Sequence, residues 1–183
     1  MIDQKIFSKF PVLHTERLDL RQVLLDDADL IYAFNSDIEA LSHIARDPFD
    51  EVDQAAARAA TFRSDYLEHK ALWWTFVLRD NGTPVGYGGL FGIDADTSAA
   101  EVGYGLVRDH WGHGYAGEAV AAMVSYGIGT MRLHRIHARV HPGNAASEKI
   151  LENLGFLKEG VLRDVEYARS QYFDMSIYGL IIP

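Results

Sequence analysis

One loop constrains the fold of this chain more than any other feature. Gly112-His113-Gly114-Tyr115-Ala116-Gly117 stands between a β-type run, Ala100 to Val107, and an Ala- and Val-rich helical run from about Gly114 to Met131. Three glycines let the backbone come close to a ligand. The free N–H groups at a helix start, at the positive end of its dipole, suit phosphate oxygens. The same loop also serves as an ordinary tight strand-to-helix turn. Its spacing spells the dinucleotide fingerprint, which wants an acidic residue about 20 positions later to hold a ribose. From Ala119 to Ser147 there is no Asp or Glu, only Arg132, Arg135 and Arg139 with His134, His137 and His141. The loop also lies mid-chain rather than in a first β-α-β unit. The dinucleotide reading fails on both counts, and a different phosphate-bearing ligand remains.

Around the loop, strand and helix patterns alternate. Arg17 to Arg21 reads as a short strand, and Asp26 as the N-cap of a helix running through Leu30, Ile31, Phe34, Ile38 and Leu41. A second helix is expected from about Asp53 to His69. Leu72 to Arg79 and Val85 to Phe91 form a hairpin across Asp80-Asn81-Gly82. A strand from His134 to His141 precedes a helix from Asn144 to Leu154, stopped by Gly155. Two strands, near Phe156 to Glu166 and Gln171 to Ile181, close the order. The pattern predicts a mixed α/β layer structure over residues 1–183 as one domain.

Composition removes several classes. The chain has 183 residues, a net charge of −9 and no cysteine. It therefore has no disulfide framework, thiolate nucleophile or Cys-based metal site. The negative charge argues against nucleic acid and anionic membranes, which bind through Lys and Arg. No apolar run is long enough for a membrane span, and Met1 to Pro11 lacks the apolar core of a signal peptide. A cytoplasmic location follows by default. His137 and His141 would sit on one strand face but roughly 13 Å apart, too far to share an ion. No metal site is expected.

The residues then resemble the GNAT superfamily of N-acetyltransferases, in particular its RimJ/RimL ribosomal-protein branch. Trp111-Gly112-His113-Gly114-Tyr115-Ala116 occupies the family's acetyl-CoA loop, Gln/Arg-x-x-Gly-x-Gly/Ala, with Trp111 where Gln or Arg is common. Asn144-x-x-Ser147, Leu154-Gly155-Phe156 with Glu159-Gly160, and the tail Glu166-Tyr167, Tyr172-x-Asp174 and Tyr178 match further motifs of the branch. The resemblance covers nearly the whole chain, strongly from residue 100 and weakly over 26–70. It implies a central mixed, splayed β-sheet of about seven strands flanked by about four helices. Acetyl-CoA is the implied co-substrate. Pantetheine would lie between strands near 101–107 and 134–141 and pair with the backbone of Leu106 and Val107. The amides of Gly112, His113, Gly114, Tyr115, Ala116 and Gly117 would hold the pyrophosphate, with Asn144 near the CoA chain. Dimerisation is common in the branch, although this sequence shows no interface.

Direct transfer from a thioester to an amine needs a neutral amine, donors for the oxyanion and a proton for the leaving thiolate. It needs no covalent enzyme intermediate, which suits a chain without cysteine. Many GNAT members place the acid, a Tyr, where this chain has Leu151. The RimJ/RimL resemblance offers Ser147 instead, a residue that could equally serve the helix cap. Two carboxylates are candidates for the base. Glu101 sits on the strand that would carry the cofactor, and Glu166 matches a glutamate of the branch. Their plainer roles would be a solvated strand residue and an ion pair with Arg163 or Arg169. An α-amine, with a pKa near 7.7–8.0, asks less of a base than Lys near 10.4.

Between Leu24 and Asp53 nine acids face one base, Arg46. This cluster suggests a cationic, amine-bearing acceptor, with Trp73, Trp74 and Tyr87 able to wall a pocket. The expected activity is acetylation of a protein or peptide N-terminal α-amine. The alternatives are a small polyamine or aminoglycoside acceptor, or a non-catalytic CoA-binding module.

Overall fold

The computed structural model describes residues 4–183; the first three residues of the 1–11 segment lie outside it. Eight strands form one sheet: β1 (Leu13–His14), β2 (Leu18–Gln22), β3 (Ala71–Leu78), β4 (Pro84–Asp94), β5 (Ala99–Leu106), β6 (Arg135–Val140), β7 (Leu157–Ala168) and β8 (Gln171–Ile181). Their order is β1-β2-β3-β4-β5-β6-β8-β7. Among the described residues, only β5 and β6 run parallel. Four α-helices flank the sheet: α1 (Ala28–Asn35), α2 (Val52–Leu67), α3 (Tyr115–Gly129) and α4 (Ala145–Asn153). The mixed, helix-flanked sheet matches expectation, with the two-residue β1 raising the strand count from about seven to eight.

The sheet separates two cores. Strand residues alternate faces, so Val102 and Leu106 of β5 and Ile136, Ala138 and Val140 of β6 pack with α3, which contributes Val120 and Met123. Burying these apolar side chains is the main drive for folding. The opposite face holds Ile31, Phe34, Ala55, Phe62, Trp73 and Tyr87 under α1 and α2.

The expected helix from Asp26 to Leu41 is shorter than its apolar spacing suggested. Residues Leu25–Asp27 form a 3-10 turn, and Asp27 precedes α1. The Asp27 carboxylate does not cap the helix. It accepts from both Arg21 guanidinium nitrogens at 2.8 and 2.7 Å, from the Leu24 amide at 2.8 Å and from Thr75 Oγ1 at 2.8 Å. The helix stops at Asn35 because local polar side chains turn back on it. Asn35 Nδ2 and Ser36 Oγ donate to the carbonyls of Ile31 and Tyr32, and Asp37 Oδ1 then accepts from the Glu39 amide.

Candidate active site

The parallel strands β5 and β6 stay together for only three residues: Ala99 opposite Arg135, Ala100 opposite Ile136 and Glu101 opposite His137. Beyond that point they part. The edge of β5 that faces away from β4 then has no strand partner from Val102 to Leu106. Both strands point their C-terminal ends toward the open side, where the glycine loop and the start of α4 follow. The result is a cleft of about 1700 Å³ that passes through the sheet, with Glu101 at its closed end.

The loop forms the mouth. Gly112 and Gly114 both adopt left-handed backbone angles, φ +78° and +80°, which favour glycine. Gly114 is the N-cap of α3, where no side chain makes a capping hydrogen bond. Arg17, which the sequence reading did not single out, braces this loop. Its Nη1 donates to the His113 carbonyl at 2.8 Å, and its guanidinium lies 4.8 Å over the Tyr115 ring. Glu118 in the first turn of α3 accepts from Arg17 Nε at 2.7 Å and from Thr15 Oγ1 at 2.5 Å. Burial alone would raise the Glu118 pKa; the hydrogen bonds from Thr15 and Arg17 outweigh it and hold the carboxyl below its ordinary value.

The backbone of Leu106 and Val107, expected beside pantetheine, has local partners. The Val107 amide donates to Val85 O at 3.0 Å, and its carbonyl accepts from the His110 amide at 3.0 Å. Val107 is thus committed to local structure. Leu106 does line the cleft, but its carbonyl accepts from Trp111 Nε1 at 2.9 Å. Trp111 therefore locks the loop to the strand. The unpaired edge begins upstream, at Val102.

On the α3–α4 face, Asn144 caps α4 as expected, its Oδ1 accepting from the Ser147 amide at 3.2 Å. The cap uses the Ser147 main chain and leaves its hydroxyl out. Tyr104, absent from the sequence reading, presents an enclosed hydroxyl here that has no well-aligned hydrogen-bond partner. Burial pushes its pKa up, and nearby Ser147 partly offsets this. The strand parity of Tyr104, even like Val102 and Leu106, was the signal available for its placement. Leu151 is fully buried in the core.

On the other face stand the two carboxylates. Glu101 lies 3.6 Å from His137 Nε2. Glu166 pairs with Arg139 at 2.5 Å, rather than with Arg163 or Arg169. An irregularity in β7 between Leu162 and Glu166 places Glu166 opposite Phe173. Such a bulge re-aims a side chain, here onto the face that carries Arg139. Trp73 and Tyr87 line the cleft on this side. Trp74 does not; it is fully buried, with its indole N–H donating to Pro11 O at 2.8 Å.

Four of the nine acids of residues 24–53 are committed elsewhere. Asp27 holds Arg21, Asp37 and Glu39 pair with Arg108, and Asp47 accepts from the Arg169 amide. Only Glu39 among the nine lines the cleft. The expected acidic approach for a cationic acceptor is therefore not built into this wall. Among the described residues, no helix is long and apolar enough to cross a membrane.

Known proteins match this arrangement. The sequence fits the acetyltransferase (GNAT) domain family over residues 17–157. It is 38% identical to the uncharacterized N-acetyltransferase p20 of Bacillus licheniformis, over 92% of this chain and 95% of that protein. Its fold is similar to that of Mycobacterium smegmatis RimJ in complex with CoA-disulfide, with TM-score 0.84 and 22% identity, covering 93% of this chain and 87% of the other. It is also similar to RimL, a ribosomal L7/L12 alpha-N-protein acetyltransferase in complex with coenzyme A, with TM-score 0.82 and 16% identity, covering 94% and 98%. With a split parallel strand pair, an amide-rich loop at its mouth and this likeness over nearly its full length, the chain belongs to the GNAT family of N-acetyltransferases.

Proposed function

We propose that the protein moves an acetyl group from acetyl-CoA directly to a primary amine, the α-amine of a protein or peptide N-terminus. The parting of β5 and β6 beyond Glu101 and His137 carries this reading. It opens the sheet between an uncapped helix start and two carboxylates. Bound acetyl-CoA supplies a thioester carbonyl for attack. The amides following Gly114 suit its pyrophosphate, and the unpaired edge of β5 suits an extended chain laid along it. From Val102 to Leu106 that edge runs about 13 Å at strand rise.

The cleft puts acid and base groups on opposite faces of the sheet. Ser147, with the Tyr104 hydroxyl beside it, faces the departing sulfur from the α3–α4 side. Glu101 and Glu166 receive the amine's proton from the α1–α2 side, directly or through water. His137 and Arg139 orient these carboxylates. The named activity of RimL supports an α-amine acceptor, as does the modest demand that such an amine makes on a base.

The test is thiol release from acetyl-CoA with α-amine peptides, comparing wild type with Glu101→Gln and Glu166→Gln. A lost general base lowers kcat by about 10²-fold or more. One of the two variants should show that loss. Wild-type rates in both would remove the carboxylates from the mechanism.

A further inference from the structure

The acceptor side of the cleft holds two guanidinium groups without a carboxylate partner. Arg58 of α2 and Arg46 of the α1–α2 connection both line it. Among the described residues, neither is in an ion pair. By contrast, three ion pairs stand on the same wall: Arg139 with Glu166, Glu39 with Arg108, and Lys70 with Glu68. Asp65 also lines the cleft but lies beyond ion-pair distance of Arg58.

Both arginines are held in place by neutral contacts. The Arg58 guanidinium carbon sits 4.8 Å over the Phe62 ring and 6.0 Å from the Trp73 ring centre. Such stacking fixes the plane of the fork. Its Nε is fully enclosed and has no hydrogen-bond partner. Arg46 Nη1 donates to Asn35 Oδ1 at 2.5 Å. Asn35 is itself fully buried and donates to Ile31 O and to Tyr87 Oη, both at 2.7 Å. The Arg169 guanidinium donates to the carbonyls of Ile44 and Arg46 at 2.8 Å, fixing the segment that carries Arg46. Burial, with Arg46 adding like-charge repulsion, lowers the Arg58 pKa against weaker opposing effects of Tyr87 and Asp65. Two cations facing one cavity with no carboxylate in ion-pair contact, and only the more distant Asp65 opposing them, are costly to keep, and a bound anion relieves that cost.

Resting on the reading of this cleft as the acceptor site, we propose that Arg46 and Arg58 bind an oxyanion of the acceptor, a carboxylate or a phosphate, and so select amines that carry one. The spacing follows from the sheet. Trp73 beneath Arg58 is on β3, two strands from Glu101 on β5. Trp73 is level with Gly89 and Gly103, two residues along from Glu101; at about 4.8 Å per strand and about 3.3 Å per residue, the oxyanion sits roughly 12 Å from the carboxylate that meets the amine. About three to four extended residues span that distance. The acceptor wall therefore recognises a negative group, the reverse of what the acidic stretch of the sequence suggested.

The test is equilibrium binding by calorimetry to the protein saturated with unacetylated CoA, so that the readout does not depend on transfer. Tri-alanine is compared with its C-terminal amide, and Ala-phosphoserine amide with Ala-Ser amide. A charge-assisted pair should make the anionic member of at least one pair bind about tenfold tighter or more. Whichever pair shows the preference identifies carboxylate or phosphate. Arg58→Gln should bring that pair to within about twofold. Equal binding within both pairs by the wild-type protein overturns the proposal, as does a preference that survives in a folded Arg58→Gln protein. The wild-type comparison decides even where the variant does not fold. A parallel transfer assay that yields no acetylated amine with any acceptor would sink the acetyltransfer reading and leave the binding result standing.

Discussion

Replacing Asp27 by Asn should cost the protein about 3 kcal/mol. The side chain is 4% exposed and accepts hydrogen bonds from Arg21, the Leu24 amide and Thr75. An Asn of the same size brings one oxygen in place of two and a donor that faces Arg21. Breaking a buried charge pair costs about 3–5 kcal/mol. The Arg21 side chain is 35% exposed, so water can partly satisfy it, and the lower end applies. In a domain of this size each kcal/mol moves Tm by about 2–4 °C, so the fall should be about 6–12 °C. Thermal unfolding followed by circular dichroism at pH 7 measures it. The pH dependence has a definite sign. Burial raises the Asp27 pKa, but the bonds from Arg21, Leu24 and Thr75 together hold the carboxyl below its ordinary value. Its contribution is therefore full above the unfolded pKa of about 3.9 and fades as pH falls through the folded value. The gap between wild type and variant should narrow below about pH 4. A variant with unchanged Tm at pH 7 would refute the reasoning, because the network would then carry no net stability.

Two glycine substitutions probe the cleft. Gly114→Ala has room, its added Cβ meeting only Arg17 Nη2 at 3.4 Å, but φ is +80°. The left-handed conformation costs about 1–2 kcal/mol for Ala, so the loop should reshape and the KM for acetyl-CoA rise in steady-state assays. In Gly105→Ala the new Cβ would lie 2.3 Å from the Phe34 ring. Overpacking of this kind costs about 1–3 kcal/mol, visible as a lower Tm together with a higher KM for the amine. Glu118→Gln should loosen Arg17 from the loop and raise the KM for acetyl-CoA while kcat changes little, a split read from the same kinetics.

Regular elements with strong local patterns were legible in the sequence. β8 runs from Gln171 to Ile181 as expected, and β3, β4 and α3 lie within a few residues of their expected bounds. The glycine loop was legible because its turn geometry, left-handed at Gly112 and Gly114, itself favours glycine. The end of α1 was not, since Asn35, Ser36 and Asp37 stop it through local hydrogen bonds that override the apolar spacing through Leu41. Charge counts misled for a related reason. They cannot show that Asp37 and Glu39 are spent on Arg108, 69 or more residues away. The pairing of Glu166 with Arg139 and the isolation of Arg58 also depend on tertiary placement. They join residues from β6, β7 and α2 that no local pattern links.

Direct acetyl transfer to an amine at the fork of β5 and β6 leaves two products, free CoA and an N-acetylated amine. Its most direct test measures free thiol and N-acetylated product together, in one reaction of the protein with acetyl-CoA and a panel of α-amine peptides. The account predicts equimolar CoA and N-acetyl peptide with at least one acceptor. Tight binding of acetyl-CoA with neither thiol nor acetylated amine, whatever the acceptor, would contradict it.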